Sequence, residues 1–175
     1  MAQIIFVCHA RDSIQNAVLW QVYHQLAPQA ANPHSFWLRG RQHEERNEPQ
    51  PIVFAEHNRP ATFKALLSIQ DRRVGVLCCT QRLDILLNAI NMNALGDNSI
   101  IVCGVTDRRI IAMLDCLLAN GFGNGNYAQP EIIDLDNLIP NHAQIDPNAL
   151  RDGIQFYDIA QDIANHVIQL INQNN

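Results

Sequence analysis

The chain has 175 residues and a mass of 19.7 kDa, long enough for one domain with its own core, and 47% of its residues are apolar. A formal net charge of −5 and a pI near 5.7 argue against a protein that binds nucleic acid by broad phosphate neutralisation. No apolar stretch reaches the length of a membrane span, and residues 1–10 lack the charged start and apolar run of a secretory signal.

In chain order, residues 3–8 (QIIFVC) read as a buried strand. Asp12 or Ser13 is placed to cap a helix reaching residue 27, because Ile14, Ala17, Val18, Val22 and Leu26 share one face. Pro28 ends it. Residues 35–39 (SFWLR) form a second strand, and residues 40–59, charged and punctuated by proline, read as a long surface loop. A helix is predicted over 61–70, an extended segment over 74–79 (VGVLCC) and a helix over 82–91. The run SIIVCGV at 99–105 is a strand, followed by a helix over 107–119, a glycine-rich loop and a strand at 131–135. Residues 140–150 read as irregular. A periodic final helix spans 153–172, carrying Ile154, Tyr157, Ile163, Val167 and Leu170. Alternating strands and helices predict one α/β domain over 1–175. The domain is three-layered: a mainly parallel sheet of four or five strands with helices on both faces, 3–8 central and 99–105 beside it. Ligands in such sheets sit at the carboxyl ends of strands, near the point where strand order reverses. Cys8 lies at such an end.

The order and local texture of the chain resemble the low-molecular-weight protein tyrosine phosphatases and their arsenate reductase relatives. The likeness rests on IIFVC before a helix, NRPATFKALL, DNSIIVCGVTDRRIIAML, and IDPNALRDGIQFYDIAQDIANHVIQLI with its Asp-Pro pair and long closing helix. The resemblance implies a nucleophilic Cys8, an anion-binding loop through His9, Ala10, Arg11, Asp12 and Ser13, and Asp146 as the acid that protonates the leaving oxygen. It implies phosphate monoester hydrolysis through a phosphocysteine, with no cofactor, in a cytoplasmic protein. No metal-binding spacing is present.

The departure from the family pattern is specific. The family loop runs Cys, five residues, Arg, then Ser or Thr; here Ile14 and Gln15 stand at those last two positions, and the loop has no glycine. A guanidinium fork that grips two phosphate oxygens is therefore missing. Aligning Arg11 with the family arginine instead leaves the loop three residues short. The expected protein is a diverged member with weak or absent turnover. A non-catalytic binding or regulatory protein on the same fold is the alternative, using the surface around Cys8 and the 40–59 loop. A cysteine phosphocarrier similar to sugar-transport IIB components is a third reading.

Each feature has a plainer competitor. Cys8 also reads as a small core residue at a strand end, Asp146-Pro147 as a turn before a helix, and His9 as a solvated loop histidine. The vicinal Cys78-Cys79 pair reads as two packed residues. Five cysteines, odd in number and mostly inside apolar runs, fit reduced thiols better than a disulfide framework. A phosphate monoester or a protein partner is expected, with a homodimer left open and neither nucleic acid nor membrane among the partners.

Overall fold

The structure, a computed structural model, describes residues 2–31, 34–39, 42–46, 63–78, 99–120 and 128–173. The central strand β1 (Gln3–Cys8) is buried from Ile4 onward, as a strand covered on both faces must be. It pairs in parallel with β6 (Ile100–Val105) on one side and with β7 (Glu131–Asp134) on the other. β6 pairs in parallel with β5 (Arg72–Cys78). Beyond β5 the sheet continues through β4 (Phe63–Ile69), β2 (His34–Arg39) and β3 (Gln42–Arg46), each antiparallel to its neighbour. The order is β3-β2-β4-β5-β6-β1-β7. Following the pairings across the sheet, β2, β5, β6, β1 and β7 share a direction, while β4 and β3 run against them. The parallel centre matches the sequence expectation, and β1 and β6 are the neighbours it named. The sheet is larger than expected, with seven strands rather than four or five.

The additional strands come from segments with a different expectation. Residues 61–70 carry good helix formers, yet Phe63–Ile69 is a strand. Ala65, Leu67 and Ile69 are buried in alternation with half-buried Leu66 and Ser68, a period of two. Pairing with β5 settles the matter, because β propensity reports packing against a partner more than an intrinsic preference. The turn between them places Gln70 and Asp71 at φ 48° and 65°. Left-handed backbone at both central positions matches the twist of the strands it joins. Part of the expected 40–59 loop is also strand, Gln42–Arg46, at the outer edge of the sheet. The expected helix at 82–91, Cys79, and the rest of the 40–59 segment lie outside the described residues.

Two helical layers flank the sheet. Helix α1 (Asp12–Leu26) follows β1, and a single 3-10 turn at 27–29 holding Pro28 ends it. Helix α2 (Arg108–Ala119) follows β6, α3 (Pro147–Arg151) is a short helix inside the stretch expected to be irregular, and α4 (Tyr157–Gln173) closes the chain. α4 begins later than the expected 153, because Gly153 and Phe156 take positive φ of 73° and 60° and turn the chain before it. On one face of the sheet, Ile5, Val7, Val74, Val76, Ile100 and Val102 pack with α1 and α4. On the other, Ile4, Phe6, Cys8, Ile101, Cys103 and Val105 pack with Ile111 and Leu114 of α2. Helices on both faces make three layers. α1 is the inner helix: Ile14, Ala17, Val18, Leu19, Trp20, Val22, Tyr23 and Leu26 are all buried, more than the single face its periodicity suggested. Burying each large side chain of this set contributes about 1.5–3 kcal/mol. Arg72, at the start of β5, donates to the Leu170 carbonyl at 2.8 Å, so a cation meets the negative end of α4 and ties it to the sheet.

Gly104 is the close-approach position between α1 and β6. A Cβ there would lie 2.4 Å from Gln15 Oε1 and 2.8 Å from Leu19 Cδ1. Gly104→Ala should therefore push α1 off the sheet and lower stability by about 1–3 kcal/mol, the usual cost of overpacking. Urea unfolding followed by circular dichroism checks this.

Candidate functional site

Residues 9–11 join β1 to α1, and their polar groups are spent on the protein itself. His9 is buried. Its Nδ1 accepts the Arg11 backbone N–H at 3.0 Å, which leaves the proton on Nε2. Nε2 then donates to the Ile139 carbonyl at 3.0 Å and lies 3.7 Å from Asp136. The Ala10 N–H donates to Asp136 Oδ1 at 2.8 Å. The Arg11 guanidinium donates to the carbonyls of Asn141 and Ala143 at 2.7 and 2.9 Å and to Ser13 Oγ at 3.3 Å. Amides and a guanidinium that would face a phosphate instead hold the 136–143 turn against β1. Asp12 opens α1 and is exposed, and Arg11, not Asp12 or Ser13, occupies the N-cap position, without a side-chain cap bond.

Cys8 belongs to the layer facing α2. Its side chain is 1% exposed among Phe6, Val105, Ile111 and Leu114. Strand alternation puts it on the opposite face from Val7, and Val7 is the residue that meets α1. Burial pushes the thiol from its ordinary value of 9.0 up to about 11. Arg108 opposes that rise, while Asp134 and Asp136 add to it. A reactive thiolate needs the reverse balance.

Asp146 caps α3: its Oδ1 accepts the Asn148 N–H at 2.9 Å, and its own N–H donates to Gln155 Oε1 at 2.9 Å. That is the turn-before-helix reading of Asp146-Pro147. Among the described residues no hydrogen bond or ion pair joins Asp146 to Cys8, His9 or Arg11. His9, Ala10, Arg11 and Ser13 are thus brought together beside the 136–143 turn, while the Cys8 side chain lies in the α2 layer and Asp146 stands apart from them in the bonding network.

Charged groups not singled out from the sequence gather at the same sheet edge. Arg108, the first residue of α2, pairs with Asp134 at the end of β7, across the end of β1. This pair holds the Asp134 carboxyl below its usual range. Asp107 caps α2 through the Arg109 N–H at 2.9 Å and also pairs with the Arg109 side chain. Both pairs are exposed enough for water to screen them, so they add little to stability. A sequence signal existed for them: VTDRR and DLD each follow an apolar strand run.

The topology gives this edge its shape. β1 and β6 are parallel neighbours, but α1 leaves toward one face of the sheet and α2 toward the other. A crevice opens where successive helices part in this way, outside the carboxyl ends of the strands. Comparison with family models, curated proteins and solved structures finds no match.

The raised Cys8 value carries a pH consequence. The unfolded chain loses this proton near pH 9.0 and the folded protein near 11, so the unfolded state binds fewer protons between them. Stability should therefore fall as pH rises through that window, by at most about 3 kcal/mol for this group. Cys8→Ala should flatten that part of the curve, seen as the difference in urea midpoints between wild type and variant. In the folded protein, iodoacetamide should modify exposed Cys116 well before buried Cys8 or Cys103.

Proposed function

We propose that this chain is a non-catalytic binding protein built on an α/β sheet, in which Cys8 is a core residue rather than a nucleophile. The observation that carries the reading is the Cys8 thiol: 1% exposed, in the α2 layer, and pushed up to about 11 by burial. At neutral pH such a sulfur holds its proton, and phosphocysteine chemistry needs the thiolate. The other groups of the phosphatase resemblance have structural partners. Arg11 grips the carbonyls of residues 141 and 143, the Ala10 and Arg11 amides are bonded to Asp136 and His9, and Asp146 caps a helix. Ile14, at the family's arginine position, is buried in the core. In this reading binding falls to the switch point at the carboxyl ends of β1 and β6, where the following helices leave to opposite faces, and it uses none of this chemistry. No helix among the described residues is long and apolar enough to cross a membrane.

Hydrolysis of para-nitrophenyl phosphate tests the reading. Wild type, Cys8→Ser, Arg11→Ala and Asp146→Asn should all stay at the buffer rate. Robust wild-type turnover that Cys8→Ser abolishes would return Cys8 to the role of nucleophile. Arg11→Ala should instead show itself as a loss of stability of about 1 kcal/mol, because it takes a charged donor from the half-buried Ala143 carbonyl and the exposed Asn141 carbonyl.

A further inference from the structure

We propose that the outer edge of β7 is the surface by which two copies of this chain pair, antiparallel across a two-fold axis at Ile132, so that their sheets run on into one another.

Among the described residues β7 ends the sheet, bonded on one side only, to β1. That bonding fixes which of its groups look outward. Cys8 stands in register with Asp134, and the Leu135 N–H donates to the Cys8 carbonyl at 2.8 Å. A parallel ladder keeps this alternation along the strand. The main chain of Ile133 and Leu135 therefore turns to β1, and the N–H and C=O groups of Ile132 and Asp134 turn away from it. Such an edge is a template for another strand unless free charges, a proline within the strand or a bulge blunt it. Here the register with β1 runs unbroken, and Pro130 precedes the strand. The side chain between the acids at the strand ends is Ile132, which shares the α2 face with its register partner Phe6 and is 54% exposed.

Register and charge select a second copy of this chain as the occupant. When the strand pairs with itself about Ile132, the two exposed isoleucines become a cross-strand apolar pair. Each Ile132 N–H meets the other's Ile132 carbonyl, and each Asp134 N–H meets the other's Pro130 carbonyl. Pro130, with no N–H to give, falls at the end of this ladder, where proline is tolerated. Like charges directly opposite one another would oppose pairing. In this register Glu131 falls opposite Ile133 and Asp134 opposite Pro130, so no acid faces an acid. Each acid is also held within its own chain: His166 Nε2 donates to Glu131 Oε2 at 2.6 Å, and Arg108 pairs with Asp134. A strand of four residues buries little surface, so the contact gives a weak dimer that forms as concentration rises, not an obligate one.

The test is sedimentation velocity of the full chain from about 10 μM to about 1 mM, the range in which weak interfaces associate. Monomer should give way to dimer across it, and hydrogen exchange followed by NMR should slow at the Ile132 and Asp134 amides as concentration rises. Ile132→Pro removes an N–H that β1 does not use, so it should leave the melting temperature close to that of wild type while weakening dimerisation by about 10-fold or more. Ile132→Lys keeps that N–H, sets like charges at the two-fold axis and should weaken the dimer equally; it carries the test should Ile132→Pro fail to fold. A chain that stays monomeric through the whole range overturns the proposal. So does a dimer that Ile132→Lys leaves as tight as wild type, which puts the contact on another face. Growth beyond the dimer overturns it too, because a two-fold contact closes on itself.

Discussion

The constraint on which the rest of the molecule depends is the close seat of α1 on the β1–β6 pair. A helix that carries Gln15 and Leu19 on its sheet-facing side can approach β6 only where the strand has no side chain, and Gly104 supplies that position. With α1 held there, Trp20, Tyr23 and Leu26 are carried into the core, and α4 packs on its outer side. α3 is tied in as well, since Gln21 donates to the Leu150 carbonyl. Removing one methyl-sized space at 104 would disturb every layer on that face, because close-packed interiors transmit such a change rather than absorb it.

The same seat decides which face of the sheet Cys8 takes. A strand turns successive side chains to opposite faces, so once Val7 faces α1, Cys8 must face α2. There it belongs to the apolar layer that holds Phe6, Val105 and Leu114, and burial raises its thiol pKa. Position at the end of the first strand, which is all that residue order can show, does not fix the face the Cys8 side chain takes. That depends on a helix whose seat is set by a glycine nearly a hundred residues away in the chain.

The loop after Cys8 illustrates a related economy. His9, Ala10 and Arg11 are a histidine, a free amide and a guanidinium, the components from which an anion site is assembled. Here each is turned outward to the 136–143 segment, whose carboxylate and carbonyls satisfy them. Because these contacts join residues more than 120 positions apart, they clasp the carboxyl end of β1 to the chain beyond β7. A ligand competing for these groups would have to break that clasp.

By itself the sequence determined the parallel centre of the fold and its helical layers. Apolar runs at 4–8 and 100–105 read as strands covered on both faces, and the periodicity of the last helix survives in Ile163, Val167 and Leu170. That positions 14 and 15 carry no cation was legible too, since Ile14 is apolar and Gln15 uncharged whatever the fold. Tertiary structure alone decided the remainder. Residues 63–69 have helix-forming composition and became a strand because a hairpin partner lies next to them. Asp146 and Arg11 acquired their partners from segments nine and about 130 residues distant. The pairing of Arg108 with Asp134 arose because β1 lies between β6 and β7. Local pattern reports how a segment divides itself between water and core, but a partner brought by the chain's path leaves no mark on the segment that receives it.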